Sequence, residues 1–202
     1  MIRAAAFPRR WLHTQRMPAM KSMLPLLLVF AAVDFTAATP AAPSGGCAAL
    51  YRERIAADLA LPYETFDQTE GRGFRILAGA GCPAEAADLI EAWVAKNGTT
   101  RRSLDWHIAQ MRAEAGATDA AVAAAKRSLI SEDEARANAF KWNDYVLAVI
   151  AFLHKDRAAF DRHRSVLAAA AAEHAGNAMN LRFLDRLAAG FGGSYAAALA
   201  AP

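Results

Sequence analysis

The chain has 202 residues, of which 55% are hydrophobic, and its formal net charge is +3. Five basic side chains and one acidic side chain lie in residues 1–46, so the rest of the chain holds 18 basic and 19 acidic residues. Nucleic-acid-binding domains carry their basic excess on a folded face. The near-neutral remainder therefore argues against a nucleic-acid-binding function, and we expect no nucleic-acid partner.

The first 46 residues have the pattern of a secretory leader. Lys21 precedes an apolar run from Leu24 to Val33, and the small residues Thr36 and Ala38 follow at positions suited to cleavage. The run is too short to cross a bilayer, so no membrane span is expected once the leader is removed. We predict a signal peptide and linker over 1–46, and an exported domain over 47–202 in the periplasm or cell envelope.

Other interpretations of this segment remain open. Arg9 and Arg10 resemble a twin-arginine signal, and the arginine-rich, acid-free start also suits a mitochondrial presequence. Residues 44–47 resemble a lipoprotein box, although Ser44 stands where such boxes carry leucine. Translation starting at Met20 or Met23 is a further alternative.

The chain has two cysteines, Cys47 and Cys82. In an exported protein this pair permits a disulfide. The alternatives are two buried thiols, or one lipidated and one free cysteine. The sequence has no cysteine and histidine spacing typical of zinc, haem or dithiol redox sites, and we expect no cofactor and no metal.

Apolar spacing predicts an all-α domain of about seven or eight helices. The first helix extends to about Ala60, and Asp67 with Glu70 resembles a capping pair for the second. Pro83 occupies the first position of the third helix. The apolar residues of that helix follow the i, i+3, i+4, i+7, i+8 pattern of an amphipathic helix: Ala86, Leu89, Ile90, Trp93 and Val94.

The remaining helices follow in the same manner. Thr99 or Thr100, Thr118 and Asp156 are predicted caps of three of them. Residues 131–136 are expected to form a solvated connector or the acidic first turn of the next helix. Around residues 145–153 the sequence is apolar almost all round, which predicts a helix packed on several sides.

Two glycine turns, at Gly81 and Gly116, lie 35 residues apart, which is close to the period of a helix–turn–helix repeat. Gly81 is followed four and five positions later by Glu85 and Ala86, as in the Gly…Glu-Ala core of the tetratricopeptide motif. The second hairpin keeps Gly116 and Ala121, and the third keeps the helix lengths and Asp156. Residues 67–172 thus resemble a tetratricopeptide-like (TPR-like) repeat, and the whole chain resembles exported helical proteins of proteobacteria with no assigned activity.

The resemblance implies a right-handed stack of antiparallel helix hairpins. It also implies a groove, lined by the first helix of each pair, that binds a protein or peptide partner. Transferred by position, the resemblance predicts a groove that contains Arg75, Trp106, Gln110, Trp142 and Tyr145. Simple packing of the aromatic residues between hairpins is the alternative for Trp106, Trp142 and Tyr145.

The sequence offers little support for catalysis. It has no hydrolase, metalloprotease, phosphate-binding or dinucleotide-binding motif. His107 is expected to be a partly buried ring, and His154 and His163 lack the i, i+4 spacing of a helical metal pair. A small envelope hydrolase or metal-dependent enzyme on a helical scaffold is retained as the alternative function.

Overall fold

The computed structural model describes residues 46–99 and 101–200, and within these ranges it is all-α, with no strand. The predicted fold class is confirmed. The leader and the Thr100 cap predicted from the sequence lie outside the described residues. The described ranges contain ten α-helices, which are α1 (Gly46–Asp58), α2 (Arg75–Gly79), α3 (Pro83–Asn97), α4 (Arg102–Glu114), α5 (Thr118–Arg127), α6 (Glu132–Ala137), α7 (Trp142–Leu153), α8 (Arg157–Ala169), α9 (Ala175–Ala189) and α10 (Tyr195–Ala200).

The number of helices exceeds the predicted seven or eight because short elements occupy the connections. Helices α2, α6 and α10 have only five or six residues each. A single π-helical turn at Glu64–Gln68 lies between α1 and α2. Helix α6 lies in the acidic segment that the sequence predicted to be either a solvated connector or the first turn of the next helix. The Ser131 hydroxyl caps α6 by accepting a hydrogen bond from the Glu134 amide.

Glycine and proline set the hairpin boundaries, as the sequence predicts. Pro83 begins α3, where its missing amide hydrogen costs nothing, and Glu85 lies in the positive first turn. Gly98 ends α3 in the left-handed conformation, with φ of 60°. The Asp156 cap of α8 is confirmed, because its carboxylate accepts a hydrogen bond from the Ala159 amide.

The predictions of Thr99 and Thr118 as caps are wrong. The cap position of α4 is held by Arg101, whose side chain makes no capping hydrogen bond. The Thr99 hydroxyl instead donates to the Asn97 carbonyl. Thr118 is the first residue of α5 rather than its cap, and the cap position is held by Ala117.

The helices pack largely in chain order. Helices α2 with α3, α4 with α5, and α7 with α8 form antiparallel pairs, and each pair contacts the next through α3 and α4 or through α5 and α7. The core between them is aliphatic and aromatic. Its largest fully buried side chains are Phe66, Phe74, Phe152, Phe160, Leu77, Leu89, Ile90, Leu104, Leu167, Leu184, Leu187 and Val146.

A disulfide between Cys47 and Cys82 attaches α1 to the rest of the stack, with 5.4 Å between the two Cα atoms. Helix α1 has weak packing of its own, since Asp58 is its only fully buried residue. Cys82 occupies the position before α3. The bond therefore fixes the start of α1 to the start of α3, two helices that also pack against each other.

No helix among the described residues is long and apolar enough to span a membrane.

Candidate partner-binding face

Three helices, α4, α7 and α9, contribute aromatic rings to one continuous cluster. The ring centroid of Trp106 on α4 lies 5.4 Å from that of Trp142 and 5.0 Å from that of Tyr145, both on α7. Tyr145 in turn lies 5.9 Å from Phe183 on α9. We call this surface, defined by Trp106, Trp142, Tyr145 and Phe183, the aromatic face.

Most of the ring surface in this cluster is buried. Trp106 is 6% exposed and Tyr145 is 5% exposed. Burial raises the pKa of the Tyr145 hydroxyl far above its ordinary value, so this residue stays neutral. Trp142 and Phe183 are only partly buried, and they carry the exposed part of the face.

A cavity of about 190 Å³ opens at the end of this face where α4 and α7 begin. Trp142 is shared between the cavity and the face, and its indole nitrogen donates to the Ser128 carbonyl at 2.7 Å, which fixes the ring. Phe140 lies 5.9 Å from Trp142 and stacks on His174 at 4.9 Å. We call this cavity the Phe140 pocket; it is lined by Arg102, Ser103, Ile130, Asn138, Phe140 and Trp142.

The charged group nearest the Phe140 pocket is held loosely. Arg102 pairs with Glu134 at 3.4 Å, and both side chains are about half exposed, at 50% and 54%. A solvent-exposed ion pair of this kind contributes about 0–1 kcal/mol to the stability of the folded protein. The Arg102 guanidinium can therefore exchange Glu134 for another carboxylate at little cost.

The other end of the aromatic face is covered by the chain itself. Helix α10 packs against both α4 and α9. Its Tyr195 ring lies 6.2 Å from Phe152 on α7 and 6.2 Å from Phe183 on α9. Helix α10 therefore lies against α4, one of the helices that were expected to line the groove.

The structure brings together four of the five residues predicted for the groove. Trp106, Gln110, Trp142 and Tyr145 all lie on α4 and α7. Arg75 belongs to another cluster, where its guanidinium donates to the Asp67 carbonyl at 2.5 Å and lies over the Phe74 ring. A role for any of the five in partner binding remains a prediction.

A polar cluster around Asp67 forms the second notable site. The Asp67 side chain is fully buried, and its Oδ1 atom lies 2.6 Å from Nδ1 of His107. Burial alone would raise the pKa of this carboxyl, but its contacts with His107, Gln68 and Tyr63 hold the pKa below its ordinary value. The residue at the cap position of α2 is Phe74, so Asp67 does not cap that helix as the sequence predicted.

The Asp67 cluster continues to α4 through two hydroxyl groups. The Tyr63 hydroxyl lies 2.9 Å from the Ser103 hydroxyl and accepts a hydrogen bond from the Gln68 amide at 3.0 Å. Arg101 stacks over the Tyr63 ring, with its guanidinium carbon 4.0 Å from the ring centroid. A buried carboxylate, a partly buried imidazole and two partly buried hydroxyl groups are thus joined in one network.

One group of three metal-ligating residue types occurs in the described ranges, formed by Cys47, Cys82 and Glu85. Both sulfur atoms are consumed in the disulfide. A disulfide sulfur is not a thiolate, and thiolate is the form of cysteine that binds metal. This group therefore offers a cation only the Glu85 carboxylate.

Sequence reasoning missed Phe140, Arg102 and Tyr195. Phe140 and Arg102 come from a connector and from a helix start, where no apolar periodicity marks them. Tyr195 carried a detectable signal, because it is a lone aromatic residue in the alanine-rich segment SYAAALA that follows the paired glycines Gly192 and Gly193.

Comparisons of the chain with models of protein families, with curated proteins and with solved structures give no match. The aromatic face, the Phe140 pocket and the Asp67 cluster are therefore the features from which a function is inferred.

Proposed function

We propose that this chain is an exported, TPR-like helical-repeat module that binds a segment of a protein partner in the cell envelope without catalysing a reaction. Its sequential antiparallel helix pairs agree with such a repeat. The leader pattern of residues 1–46 supports export. The aromatic face and the Phe140 pocket together form the proposed binding surface.

The observation that carries this proposal is the size and lining of the Phe140 pocket. Sites for small molecules and cofactors usually measure about 300–1,000 Å³, whereas this cavity measures about 190 Å³. It suits a single side chain rather than a whole metabolite. Because Ile130, Phe140 and Trp142 supply apolar walls, we expect the anchoring side chain to be aliphatic or aromatic.

Arg102 adds an electrostatic requirement. Its pairing with Glu134 is loose and exposed, and a guanidinium binds carboxylates through paired hydrogen bonds. We therefore propose that the partner segment carries an acidic side chain, or its own terminal carboxylate, next to the apolar anchor. Aromatic residues and arginine are also the residue types that dominate binding energies at protein interfaces.

Site-specific photo-cross-linking tests this proposal. A photoreactive residue at position 138, on the pocket rim, should capture a partner in an envelope extract, and one at Val166, an exposed residue of α8, should not. Phe140→Ala and Arg102→Ala in the position-138 protein should each reduce capture by about tenfold, as expected for loss of a binding hot spot. Equal capture from positions 138 and 166, or capture that both substitutions leave unchanged, would contradict the proposal.

Export has a separate test. If residues 1–46 contain a cleaved leader, the N-terminus of the protein recovered from the envelope fraction should lie near Thr39, after the small residues Thr36 and Ala38. An intact N-terminus on protein recovered only from the cytoplasmic fraction would contradict export.

A second candidate function, a small envelope hydrolase, is favoured by one observation. His107 is hydrogen-bonded to a buried carboxylate, the arrangement that orients an imidazole as a general base. Ser103 lies one helical turn before His107 on α4, although its hydroxyl contacts Tyr63. A fluorophosphonate probe that labels the wild-type chain but not Ser103→Ala would favour the hydrolase, and stoichiometric metal in the purified protein would favour a metal-dependent enzyme.

A further inference from the structure

Helix α10 is placed as a ligand would be on the aromatic face. It contacts α4 and α9 and lies over Phe152 of α7. Tyr195 is 3% exposed and Ala198 is 2% exposed, so one side of the short helix is inserted. A Cβ atom added to Gly190 would lie 2.6 Å from the Cβ of Ala198, so the absence of a side chain at position 190 permits the close approach.

Few interactions keep α10 in place. A six-residue helix is far too short to be stable in isolation, so α10 depends on its contacts with the face. Only Tyr195 and Ala198 are fully buried. The hydrogen bonds from Arg186 to the Leu199 carbonyl and from Lys155 to the Gly193 carbonyl involve exposed side chains. Water can replace both.

The connection to α9 is suited to movement of α10. Gly192 has φ of +96°, and Gly193 follows it directly. Glycine adopts both signs of φ with little steric cost, so the residues between α9 and α10 can change direction without distorting either helix. The movement would withdraw Tyr195 and Ala198 while leaving α9 packed.

The Tyr195 site is also imperfectly matched to its occupant. The hydroxyl group is buried and has no hydrogen-bond partner among the described residues. Burial raises the pKa of the Tyr195 hydroxyl, and the neighbouring Gln110 side chain partly offsets this rise. The two groups do not meet the geometry of a hydrogen bond. A ligand whose aromatic residue satisfies Gln110, or lacks the hydroxyl, would avoid this penalty.

We propose that α10 is an exchangeable occupant of the aromatic face, and that the external ligand of this part of the face is a peptide helix of the same chemistry. Such a peptide has an aromatic residue, a small residue three positions later and no charge on that side. The inference rests on the proposed function, because it names the partner class and the regulation of the same surface. A partner segment would insert its aromatic residue where Tyr195 lies, and α10 would swing away on the glycine connection.

A tethered occupant competes with every external ligand, because its effective concentration is high. The apparent affinity for an external peptide falls in proportion to the fraction of molecules with α10 released. The unmodified chain should therefore bind such a peptide more weakly than a chain whose α10 has lost its anchor.

Binding of a synthetic peptide tests the proposal directly. The probe is the fluorescently labelled, end-blocked heptapeptide SYAAALA, which reproduces residues 194–200. Tyr195→Ala should bind it at least about tenfold more tightly than the unmodified chain, whereas Ala196→Ser, on the exposed side of α10, should bind it like the unmodified chain. A peptide with alanine in place of tyrosine should bind to neither. A Tyr195→Ala protein that keeps its helical circular dichroism and cooperative melting, but binds no more tightly, would overturn the inference.

Hydrogen exchange on the unmodified chain provides a second test that requires no variant. If α10 leaves the face while the stack stays folded, the amides of Ala198–Ala200 should exchange much faster than those near Leu184 and Leu187 on α9. Equal protection would overturn the inference. A concentration-dependent dimer that forms by exchange of α10 between two copies would overturn it as well, in favour of a second copy as the occupant.

The two proposals fail separately. Cross-linking from position 138 combined with no binding of SYAAALA would reject the exchangeable α10 and leave the proposed function standing. Binding of SYAAALA to Tyr195→Ala, with no cross-linked partner at position 138, would reject the Phe140 pocket as the site of partner binding.

Discussion

The Nδ1 atom of His107 lies 2.6 Å from the Oδ1 atom of Asp67, and this contact joins two segments that are 40 residues apart in the chain. Asp67 belongs to the π-helical turn between α1 and α2, and His107 lies on α4. The interaction therefore attaches an irregular connection to the body of the stack. Because the carboxylate has only acceptor atoms when ionised, the imidazole nitrogen donates.

Asp67→Asn should destabilise the protein by about 2 kcal/mol, since a buried hydrogen bond to a charged group contributes about 1.5–3 kcal/mol. The measurement is the free energy of unfolding from urea denaturation at pH 7. Asp185→Asn is the matched control, because it removes an exposed carboxylate paired with Arg164 and should cost less than about 1 kcal/mol. Equal losses from the two substitutions would contradict a special role for the buried contact.

The same contact predicts a pH dependence with a definite sign. The pKa of Asp67 is lower in the folded state than its ordinary value of 3.8, so ionised Asp67 stabilises the fold above that value. The contribution is lost as the pH falls through the folded-state pKa. The difference in unfolding free energy between wild type and Asp67→Asn should shrink as the pH falls below about 4. A difference that grows on acidification would show that the sign is wrong.

Gly73 and Gly71 provide a second matched pair in the same connection. Both have positive φ, at +52° and +66°, but a Cβ atom on Gly73 would lie 2.2 Å from the Phe66 carbonyl oxygen, whereas one on Gly71 would meet nothing within 4 Å. Gly71→Ala should cost about 1–2 kcal/mol for the left-handed backbone alone. Gly73→Ala adds a steric clash and should cost about 2 kcal/mol more. Similar unfolding free energies for the two variants would contradict this difference.

Much of the fold could be predicted because its helices carry strong local signals. In α3, Pro83, the apolar stripe and Gly98 all indicate the same boundaries, and these signals depend only on nearby residues. In the connection over residues 62–74, the local sequence signals do not all indicate one structure. Asp67 with Glu70 fits a helix-capping pattern as well as it fits a buried contact. Only the position of His107, 40 residues further along the chain, decides where the Asp67 carboxylate lies.

The candidate site could be predicted only in part, for a related reason. Trp106, Trp142 and Tyr145 were found because the repeat pattern places them on first helices. Their burial depends on how the neighbouring pairs pack, which a single helical period does not specify. The Phe140 pocket combines two connectors and the starts of two helices, so none of its geometry is encoded in a local pattern. The placement of α10 likewise depends on contacts with helices far away in the chain.

The disulfide gives a prediction that concerns α1 alone. Replacing both cysteines, Cys47→Ala with Cys82→Ala, removes a cross-link that spans 35 positions and should lower the free energy of unfolding by at most about 4 kcal/mol in the chain-entropy model. Because α1 has one fully buried residue, its amides should lose hydrogen-exchange protection while those of α4 and α7 keep theirs. Uniform loss of protection along the chain would contradict this local role.

The last prediction concerns Asn177, a fully buried residue at the start of α9. Its Oδ1 accepts a hydrogen bond from the Lys141 amide, and its Nδ2 donates to the carbonyls of Ala139 and Ala170. Asn177→Leu keeps the shape of the side chain but leaves the Lys141 amide and the Ala139 carbonyl without a partner, whereas the Ala170 carbonyl still accepts from the Glu173 amide. We expect a loss of about 2 kcal/mol or more, since each of the two buried unsatisfied polar groups costs about 1–3 kcal/mol.

Asn180, one helical turn further on, is the control for Asn177. It is 6% exposed, and its Nδ2 atom is buried without a hydrogen-bond partner in the described part of the chain. Asn180→Leu removes a polar group that is already unsatisfied, so stability should change by less than about 1 kcal/mol or should rise. Thermal and urea denaturation of the two variants would measure the contrast. Because both positions lie on α9 and receive the same substitution, a difference between them reports on the hydrogen bonds of Asn177 rather than on helix propensity or side-chain volume.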